Sequence, residues 1–470
     1  MTHNFPQAYI NSINQLLTNE AQLFWDAMEV GTPCGGLRIN TGKTSLADLG
    51  QVLPPGTPAL PWCKDGFPLE ETRDLGTHPY HKAGLYYLQE PSAMMPVAVL
   101  DPQPGERVLD LCAAPGGKTT QILSRMGNRG LLIANDPNPR RVQSLSRNLE
   151  RWGGRSTAVL CETPSRISEH LGDFFDRVLV DAPCSGEGRF RSDSKEIKKW
   201  SPKFIERCCQ TQDEILWFAA KMVRPGGVLV YSTCTFNQEE NEGTIARFLE
   251  KNPDYNLEPI VPVAGYSQGI QLASAPKIDF SGTVRIWPHQ TLGEGHFTAR
   301  LRRNQAAPSP SRQFSAAKNQ LKSDYHAIYS QFFDKTLRST PGTGAISPGS
   351  RGLTNYGNRI YWIVDEMPSL EGLNVIHWGW WLGSIPGDKY LPSPALAYGL
   401  TPEDAQTVLE FSVEDPGLAN YLRGSPLSSA DLENLPQGWA LVTCSGFSLG
   451  WGLIRRGRLK SYLPRWLRSN

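Results

Sequence analysis

The sequence predicts an α/β fold whose central unit is a Rossmann-like parallel sheet with helices on both faces. Between residues 105 and 300, short strands of continuously apolar residues alternate with helical segments. Strands of this kind are typical of a parallel sheet that is buried on both sides. A Gly-rich loop follows the first strand and leads into a helix. In such a sheet, ligands bind at the carboxyl ends of the strands.

Five strands are predicted in this region, and they occupy residues 107–111, 130–136, 157–162, 177–183 and 228–234. The helices predicted between and after them occupy residues 118–126, 138–153, 202–223 and 238–252. Two later segments, 283–290 and 295–303, have the pattern of further strands and complete the set. The central unit is therefore predicted to span residues 101–303.

The segments on either side of this unit differ from it in composition. Residues 1–100 are mixed and partly helical, and they predict an α+β extension with a short strand at 35–40. Residues 304–325 are polar and rich in Pro and Ser, which is typical of a linker. Residues 326–470 contain short strand-like pieces between Pro and Gly turns, which predicts a β-rich C-terminal region.

The overall charge excludes a uniformly basic nucleic-acid-binding protein, since the formal net charge is only +1. The positive charge is local: residues 301–470 hold 17 Lys and Arg against 13 Asp and Glu. Near the end of the chain, cations alternate with aromatic residues such as Trp451, Tyr462 and Trp466. This mixture suits contacts with RNA, and it equally suits an ordinary strand edge over a core.

The location predicted from the sequence is the cytoplasm. No apolar run is long enough to span a membrane, and the first residues lack the pattern of a signal peptide. The nine cysteines are an odd number without Cys-x-x-Cys spacing, which predicts free thiols in a reducing compartment and no metal site.

The loop in "DLCAAPGGKTTQ" (110–121) resembles a phosphate-binding loop at first sight. That motif requires a glycine five residues before Gly117, where this chain has Cys112. Pro115 also lacks the amide N–H that a phosphate cradle uses. A P-loop nucleotide hydrolase is therefore disfavoured.

An adenosine-type ligand fits the same region better. The loop is followed by a helix N-terminus, the second strand ends in Asp136, and the third ends in Glu162. A strand-end acid at the position of Asp136 can accept hydrogen bonds from ribose hydroxyls, and Glu162 is placed to reach an adenine edge. The pattern favours S-adenosyl-L-methionine as cofactor.

Two cysteines follow neighbouring strands, in "DAPCSGEG" (181–188) and "STCTFNQEENE" (232–242). Cys184 and Cys234 are therefore predicted to face the crevice that holds the cofactor. A thiolate that adds to C6 of cytosine activates C5 towards a methyl sulfonium, and a second group can assist product release. Asp181 can hydrogen-bond the base at N3 and N4. The alternative is a pair of buried structural thiols, the role that Cys208 and Cys209 are predicted to have.

These motifs, in this order, resemble those of the Sun-type RNA (cytosine-5)-methyltransferases. The segments "GLYYLQEPSAM" (84–94) and "RIWPHQTLGEGHF" (285–297) are similar to the flanking motifs of that family. The end of the chain is similar to the RsmF-like small-subunit rRNA enzymes, which carry a PUA-like module. Enzymes that methylate DNA cytosine use the cysteine of a Pro-Cys motif and lack a second Thr-Cys site, so the two-cysteine arrangement points to RNA.

The resemblance implies a role for each candidate residue. Cys234 is the nucleophile, Cys184 promotes product release, and Asp181 contacts the base beside the cofactor. The residues implied to bind S-adenosylmethionine are Cys112, Ala113, Ala114, Pro115, Gly116, Gly117, Lys118, Asp136, Glu162 and Asp181. The third strand departs from the family pattern, because "CETPS" stands where an Asp-Gly pair is common.

The expected reaction is methylation of C5 of a cytosine in 16S rRNA by a monomer whose N- and C-terminal regions hold the RNA. The target cytosine must flip out of its helix, and the basic segment 188–200 is placed to line its path. Methylation of tRNA is the alternative reaction. A non-catalytic RNA-binding ribosome-assembly factor on the same scaffold is the rival from another class, and it would tolerate loss of Cys234.

Overall fold

The computed structural model describes residues 5–30, 35–69, 74–306, 314–318, 320–428 and 430–469. It begins with an N-terminal unit in which three antiparallel strands pair in the order β2-β1-β3. The elements of this unit are α1 (Gln7–Leu17), α2 (Ala21–Val30), β1 (Gly35–Ile39), β2 (Gly66–Leu69), α3 (Pro79–Lys82) and β3 (Tyr86–Leu88).

The central unit follows as an alternation of strands and helices. Its elements are α4 (Met95–Leu100), β4 (Arg107–Asp110), α5 (Gly117–Met126), β5 (Leu131–Asn135), α6 (Pro139–Trp152), β6 (Thr157–Leu160), α7 (Pro164–Leu171), β7 (Phe175–Asp181), α8 (Ser194–Lys199), α9 (Pro202–Met222), β8 (Val223–Thr233), α10 (Glu242–Lys251), β9 (Tyr255–Glu258), β10 (Ser267–Gln268), β11 (Val284–Ile286) and β12 (His296–Arg303).

The predicted parallel sheet is confirmed. Strands β6, β5, β4, β7 and β8 lie side by side in that order, and each pair is parallel. The antiparallel strand β12 extends the sheet beyond β8. Because the strand order reverses between β4 and β7, the crevice at their carboxyl ends is the expected ligand position in a sheet of this kind. The residues that end β4 and β7 are Asp110 and Asp181.

The C-terminal region contains two further sheets, which pair in the orders β13-β14-β16-β17 and β18-β20-β21-β22-β19. Its elements are α11 (Ser323–Thr336), β13 (Leu353–Tyr356), β14 (Arg359–Trp362), β15 (Val375–His377), β16 (Trp380–Ser384), β17 (Leu391–Pro392), α12 (Pro394–Gly399), β18 (Val408–Phe411), α13 (Pro416–Arg423), β19 (Leu427–Ser428), α14 (Ala430–Glu433), β20 (Gly438–Cys444), β21 (Phe447–Arg455) and β22 (Arg458–Ser461). The β-rich character predicted for this region is confirmed.

One strand of the C-terminal region belongs to the central sheet. Strand β15 pairs antiparallel with β6, with Val375 opposite Leu160. The Cys161 N–H also donates to the Asn374 carbonyl at 2.9 Å. The central sheet is therefore completed by residues that lie well beyond the predicted end of the central unit at 303.

The described part of the predicted linker also packs against the central unit. Residues 307–313 and 319 lie outside the described residues. The Phe314 ring lies 4.7 Å from the Phe174 ring, and the Ala317 N–H donates to the Met367 carbonyl at 2.9 Å. Tyr361, Leu370 and other residues from this side of the chain are buried in the same apolar core as Leu160. Residues 314–318 are thus held against the protein rather than suspended between two units.

Within the described ranges, no helix is both long and apolar enough to cross a membrane.

The shared core predicts that a change in the C-terminal region destabilises the central unit. Leu370 is fully buried in this core, so Leu370→Ala should lower the free energy of unfolding by about 3 kcal/mol. Denaturant unfolding followed by fluorescence measures the loss. The matched control is Leu391→Ala, whose side chain is 37% exposed and should change the same quantity by less than about 1 kcal/mol. A separate transition that alone responds to Leu370→Ala would contradict the shared core.

Candidate active site at the strand ends

The carboxyl ends of β4, β7 and β8 open into two adjoining cavities of about 250 Å³ and about 1020 Å³. Cys112, Lys118 and Asp181 line both cavities. Cys184 and Cys234 line the larger cavity only. The structure therefore brings the two predicted cysteines and the predicted aspartate to one site beside the Gly-rich loop.

The two cysteines face each other as free thiols. Their Sγ atoms are 3.4 Å apart. The hydrogen bond with Cys234, followed by burial, raises the pKa of the Cys184 thiol well above its ordinary value. Cys184 is therefore a protonated thiol at neutral pH, and it can donate its proton to a thiolate or a leaving group in reach of its Sγ.

The turns that carry the cysteines are bonded to each other, which fixes the distance between the thiols. The hydroxyls of Ser185 and Thr235 are 2.8 Å apart, and the Gly188 N–H donates to the Cys234 carbonyl at 2.9 Å. A Cβ at Gly188 would lie 2.9 Å from that carbonyl oxygen, so only glycine fits there. The Glu240 carboxylate accepts the Ser185 N–H at 2.9 Å and anchors the first turn.

Asp181 is held by three groups. The Lys118 ammonium donates to Oδ2 at 2.8 Å, the Ser232 hydroxyl donates to Oδ1 at 2.9 Å, and His296 Nε2 lies 3.5 Å from Oδ1. Burial acts to raise the pKa of Asp181, but Lys118 and then His296 outweigh it, and the pKa lies well below its ordinary value. Asp181 is therefore an ionised carboxylate that can only accept hydrogen bonds.

The Gly-rich loop forms the wall of the smaller cavity. Cys112, Ala113, Ala114, Pro115, Gly117 and Lys118 line it. Gly116 is not among the lining residues, and with φ of +112° it takes the left-handed conformation that turns the chain into α5. A Cβ at Gly117 would lie 3.3 Å from both Gln89 and Tyr87, so the missing side chain keeps this end of the cavity open.

A buried carboxylate lies at the base of this cavity. Asp110 Oδ2 accepts the Thr119 hydroxyl at 2.7 Å, whereas Oδ1 has no hydrogen-bond partner in the described part of the chain. Burial raises the pKa of Asp110 to about 7. An orphaned acceptor in a cavity wall is a natural partner for a cationic or hydroxyl group of a ligand.

Asp136 and Glu162 have different positions. Asp136 lines the larger cavity, where its Oδ1 accepts the Asn138 N–H at 3.0 Å and Arg141 lies 3.2 Å from its Oδ2. Glu162 lines neither cavity, because its Oε1 accepts the Asn374 N–H at 2.9 Å beside β15. The backbone of Asn374, just before β15, thus binds the Glu162 carboxylate, and a role of Glu162 in cofactor binding stays a prediction.

Several lining residues were missed by the sequence reasoning. Tyr87, Gln89 and Glu90 come from the N-terminal unit and complete the smaller cavity. The segment "GLYYLQEPSAM" was the available signal, because it resembles a family motif. His296 also lines the larger cavity, and it lies in "RIWPHQTLGEGHF" (285–297), the second segment that resembles a family motif.

Two surface predictions have different outcomes. Arg189, Ser192 and Lys199, from the predicted basic segment 188–200, line the larger cavity. Trp451 is unavailable for RNA stacking, because it is buried and its Nε1 donates to the Ser393 carbonyl at 2.9 Å. Over the ranges that the structure describes, no group of three or more His, Cys, Asp or Glu side chains could hold a metal ion.

Four family models match consecutive parts of the chain. They describe the N-terminal domain of 16S rRNA methyltransferase RsmF (residues 5–91), 16S rRNA methyltransferase RsmB/F (97–302), the first C-terminal domain of RsmF (331–400) and the RsmF PUA domain (408–469).

Individual proteins are similar to the chain over shorter stretches. It is 38% identical over 315 residues to ribosomal RNA small subunit methyltransferase F of Erwinia tasmaniensis, covering 65% of this chain and 64% of the relative. The same enzyme of Escherichia fergusonii is 40% identical over 283 residues, 58% of each chain. The chain thus spans less than two thirds of these relatives. A crystal structure of a methyltransferase homologue from Pyrococcus horikoshii is 32% identical, with a TM-score of 0.55, over 64% of this chain and 96% of the other.

The contact between the thiols predicts how Cys184 reacts. Cys234→Ala removes the first cause of the raised pKa of Cys184, so the thiolate fraction and the rate of alkylation by iodoacetamide should rise, by about tenfold per pKa unit. Mass spectrometry of the Cys184 peptide after timed alkylation at pH 7.5 measures the rate. Cys444→Ala, in the distant β20, is the matched control and should leave the rate unchanged. An unchanged or slower rate in Cys234→Ala would contradict the coupling.

Proposed function

The chain belongs to the RsmB/F family of Sun-type RNA methyltransferases, and from this premise we propose that it methylates C5 of a cytosine in 16S rRNA, with S-adenosylmethionine as the methyl donor. One observation carries the proposal: two free thiols 3.4 Å apart share a cavity with an ionised aspartate. One thiol can add to the pyrimidine and the second can assist release of the product, which is a division of work that a binding protein does not require.

The two thiols divide the covalent chemistry between them. The thiolate of Cys234 forms a bond to C6 of the cytosine, and the electron pair of the C5–C6 double bond moves towards C5 and the N3 side of the ring. After C5 has gained its methyl group it still carries a proton. Removal of that proton returns its electron pair to the C5–C6 bond and breaks the bond between Cys234 and C6. Cys184, as a protonated thiol, donates its proton to the departing Cys234. The thiolate that Cys184 becomes then accepts the proton from C5, so one proton passes from C5 to Cys234 and Cys184 ends as a thiol again.

The residues of the smaller cavity suit the cofactor. The loop from Cys112 to Lys118 offers backbone groups at a helix N-terminus, and Asp110 supplies an orphaned acceptor. Asp136, next along the sheet, is placed for ribose hydroxyls. Bound S-adenosylmethionine supplies a methyl group on a positively charged sulfur. Asp181, which lines both cavities, stands between the proposed cofactor and the base.

The flanking regions are proposed to hold the RNA. Arg189, Ser192 and Lys199 border the larger cavity, where cations attract the phosphates around a flipped nucleotide. The C-terminal sheet carries a basic edge at Arg455, Arg456 and Arg458, whose side chains are exposed or half-exposed. We assign residues 1–100 and 326–470 to RNA binding and residues 101–303, completed by β15, to catalysis.

A trapping experiment tests the covalent mechanism. Cys184→Ala should accumulate an RNA adduct, because addition and methyl transfer proceed while release is blocked, and Cys234→Ala should form none. Each protein is mixed with S-adenosylmethionine and with small-subunit rRNA, assembled small subunits or tRNA, and an RNase-sensitive slower band is sought on a denaturing gel. Sequencing of the trapped RNA identifies the target.

Three other results of the trapping experiment would contradict parts of this proposal. An adduct with Cys234→Ala alone would exchange the roles of the cysteines, and trapping of tRNA alone would replace the substrate. Absence of both an adduct and methyl transfer by the wild type would leave an RNA-binding ribosome-assembly factor.

The affinity for S-adenosylmethionine should depend on Asp136 and not on Glu162. Asp136→Asn should weaken binding of S-adenosylmethionine by about 10- to 100-fold, because a hydrogen bond to a charged group contributes about 1.5–3 kcal/mol. The matched control is Glu162→Gln, which should bind normally because Glu162 lies outside both cavities. Isothermal titration calorimetry measures both, with ATP as the ligand that should not bind. Equal affinities in the two variants would remove Asp136 from the cofactor site.

A further inference from the structure

His296 is a buried histidine in the wall of the larger cavity, and the covalent mechanism gives it no task. It is only 4% exposed, and it lines that cavity together with Cys184, Cys234 and Asp181. Its Nε2 lies 3.5 Å from Asp181 Oδ1 and has no hydrogen-bond partner in the described part of the chain. A buried ring nitrogen without a partner in a cavity wall calls for an external one.

The register of the sheet places this residue beside the nucleophile. Strand β12 pairs antiparallel with β8, with Phe297 opposite Thr233. His296 precedes Phe297 and Cys234 follows Thr233, so the two lie at the same edge of the sheet. His296 is thus fixed by backbone pairing, and its position relative to Cys234 and Asp181 does not depend on a mobile loop.

The Watson–Crick edge of cytosine needs a partner that Asp181 cannot provide. Its exocyclic N4 carries two N–H donors, and its N3 is an acceptor. An ionised carboxylate accepts from N4 but cannot donate to N3. Attack of a thiolate on C6 pushes negative charge onto N3, so a donor there stabilises the addition. The contact with N3 that the sequence assigned to Asp181 therefore needs another side chain, and Lys118 and Ser232 already donate to the Asp181 carboxylate.

We propose that His296 donates its Nε2–H to N3 of the target cytosine while Asp181 Oδ1 accepts an N4–H of the same base. This assignment rests on the function proposed above. The distance of 3.5 Å between Nε2 and Oδ1 is suited to two neighbouring atoms of one base edge. Lys118 occupies the other carboxylate oxygen, so the atom nearer to His296 is the one that meets the base.

The charge state of the ring agrees with this role. Burial, followed by the charge of Lys118, lowers the pKa of His296, although Asp181 and Glu90 oppose the shift. The ring is therefore neutral at physiological pH and carries one N–H, and we place this N–H on Nε2, the nitrogen that lies 3.5 Å from the Asp181 carboxylate. A neutral donor offers a hydrogen bond to N3 and does not compete with Lys118 for Asp181.

The same pair reads the identity of the base. Uracil presents an oxygen acceptor in place of N4 and an N–H donor at N3. Its O4 would meet the Asp181 carboxylate and its N3–H would meet the His296 N–H, so both contacts become repulsive. Selection of cytosine over uracil then comes from a donor, His296 Nε2–H, that lies next to an acceptor, Asp181 Oδ1.

The test removes the proposed hydrogen bond between His296 and N3 of the cytosine, first by changing the protein and then by changing the RNA. His296→Phe keeps a ring of similar shape without a donor, and His296→Gln keeps a donor without a ring. Methyl transfer is measured as kcat and KM on the small-subunit rRNA fragment that Cys184→Ala traps, with the target as cytidine or as 3-deazacytidine, which has C–H in place of N3. On cytidine RNA, His296→Phe should lower kcat by about 100-fold with little change in KM, and His296→Gln should recover activity to within about tenfold of the wild type.

The 3-deazacytidine RNA decides between a contact and a structural role. On this RNA the wild type should already be slow, and His296→Phe should slow it by no more than about twofold. His289→Phe is the matched control for the ring exchange, because His289 contacts Glu20 and does not line the cavity; it should respond equally to both RNAs. The same loss from His296→Phe on both RNAs, or no loss on either, overturns the assignment. A wild type that methylates no RNA would overturn the proposed function together with it.

Discussion

The ion pair between Lys118 and Asp181 joins the two halves of the site. Lys118 belongs to the first turn of the helix after the Gly-rich loop, and Asp181 ends the strand before the first cysteine turn. Their 2.8 Å contact therefore ties the wall of the smaller cavity to the wall of the larger one. Removing either partner would leave the other charge half-buried and without its counter-ion, which destabilises the site. The charge state of Asp181, and through it the polarity offered to a base, depends on this contact.

Two buried arginines, Arg38 and Arg285, bind other parts of the protein to this site through hydrogen bonds and an ion pair. Arg38, in β1, donates to Gln89 and to Thr120 of the helix after the loop, so the N-terminal sheet is bound to the smaller cavity's side of the site. Arg285 forms a 2.6 Å ion pair with Glu242 and donates to the Phe236 carbonyl, two residues beyond Cys234. The turn after Cys234 and the helix after the loop are thus held by charge-assisted bonds in the protein interior, where such bonds are strong.

The central sheet could be predicted from the sequence, because its strands are continuously apolar and the polar residues that follow them mark their carboxyl ends. The positions of Cys184, Cys234 and Asp181 follow from that rule alone. The sequence did not predict the partner of Glu162, since that partner is Asn374, more than 200 positions later and just before β15, and no local pattern indicates such a contact. It also missed His296, because the alternation that identifies a strand says nothing about which polar residue faces a ligand.

Strand β15 has a consequence for how the protein is made. A ribosome releases β6 long before it has synthesised residues 375–377, so the nascent central sheet has an open edge during much of translation. Unpaired edge strands with apolar neighbours invite pairing with other chains. The apolar core beneath that edge is also incomplete until Leu370 and its neighbours arrive. Completion of the sheet therefore comes late in translation, when residues 375–377 have emerged and can pair with β6.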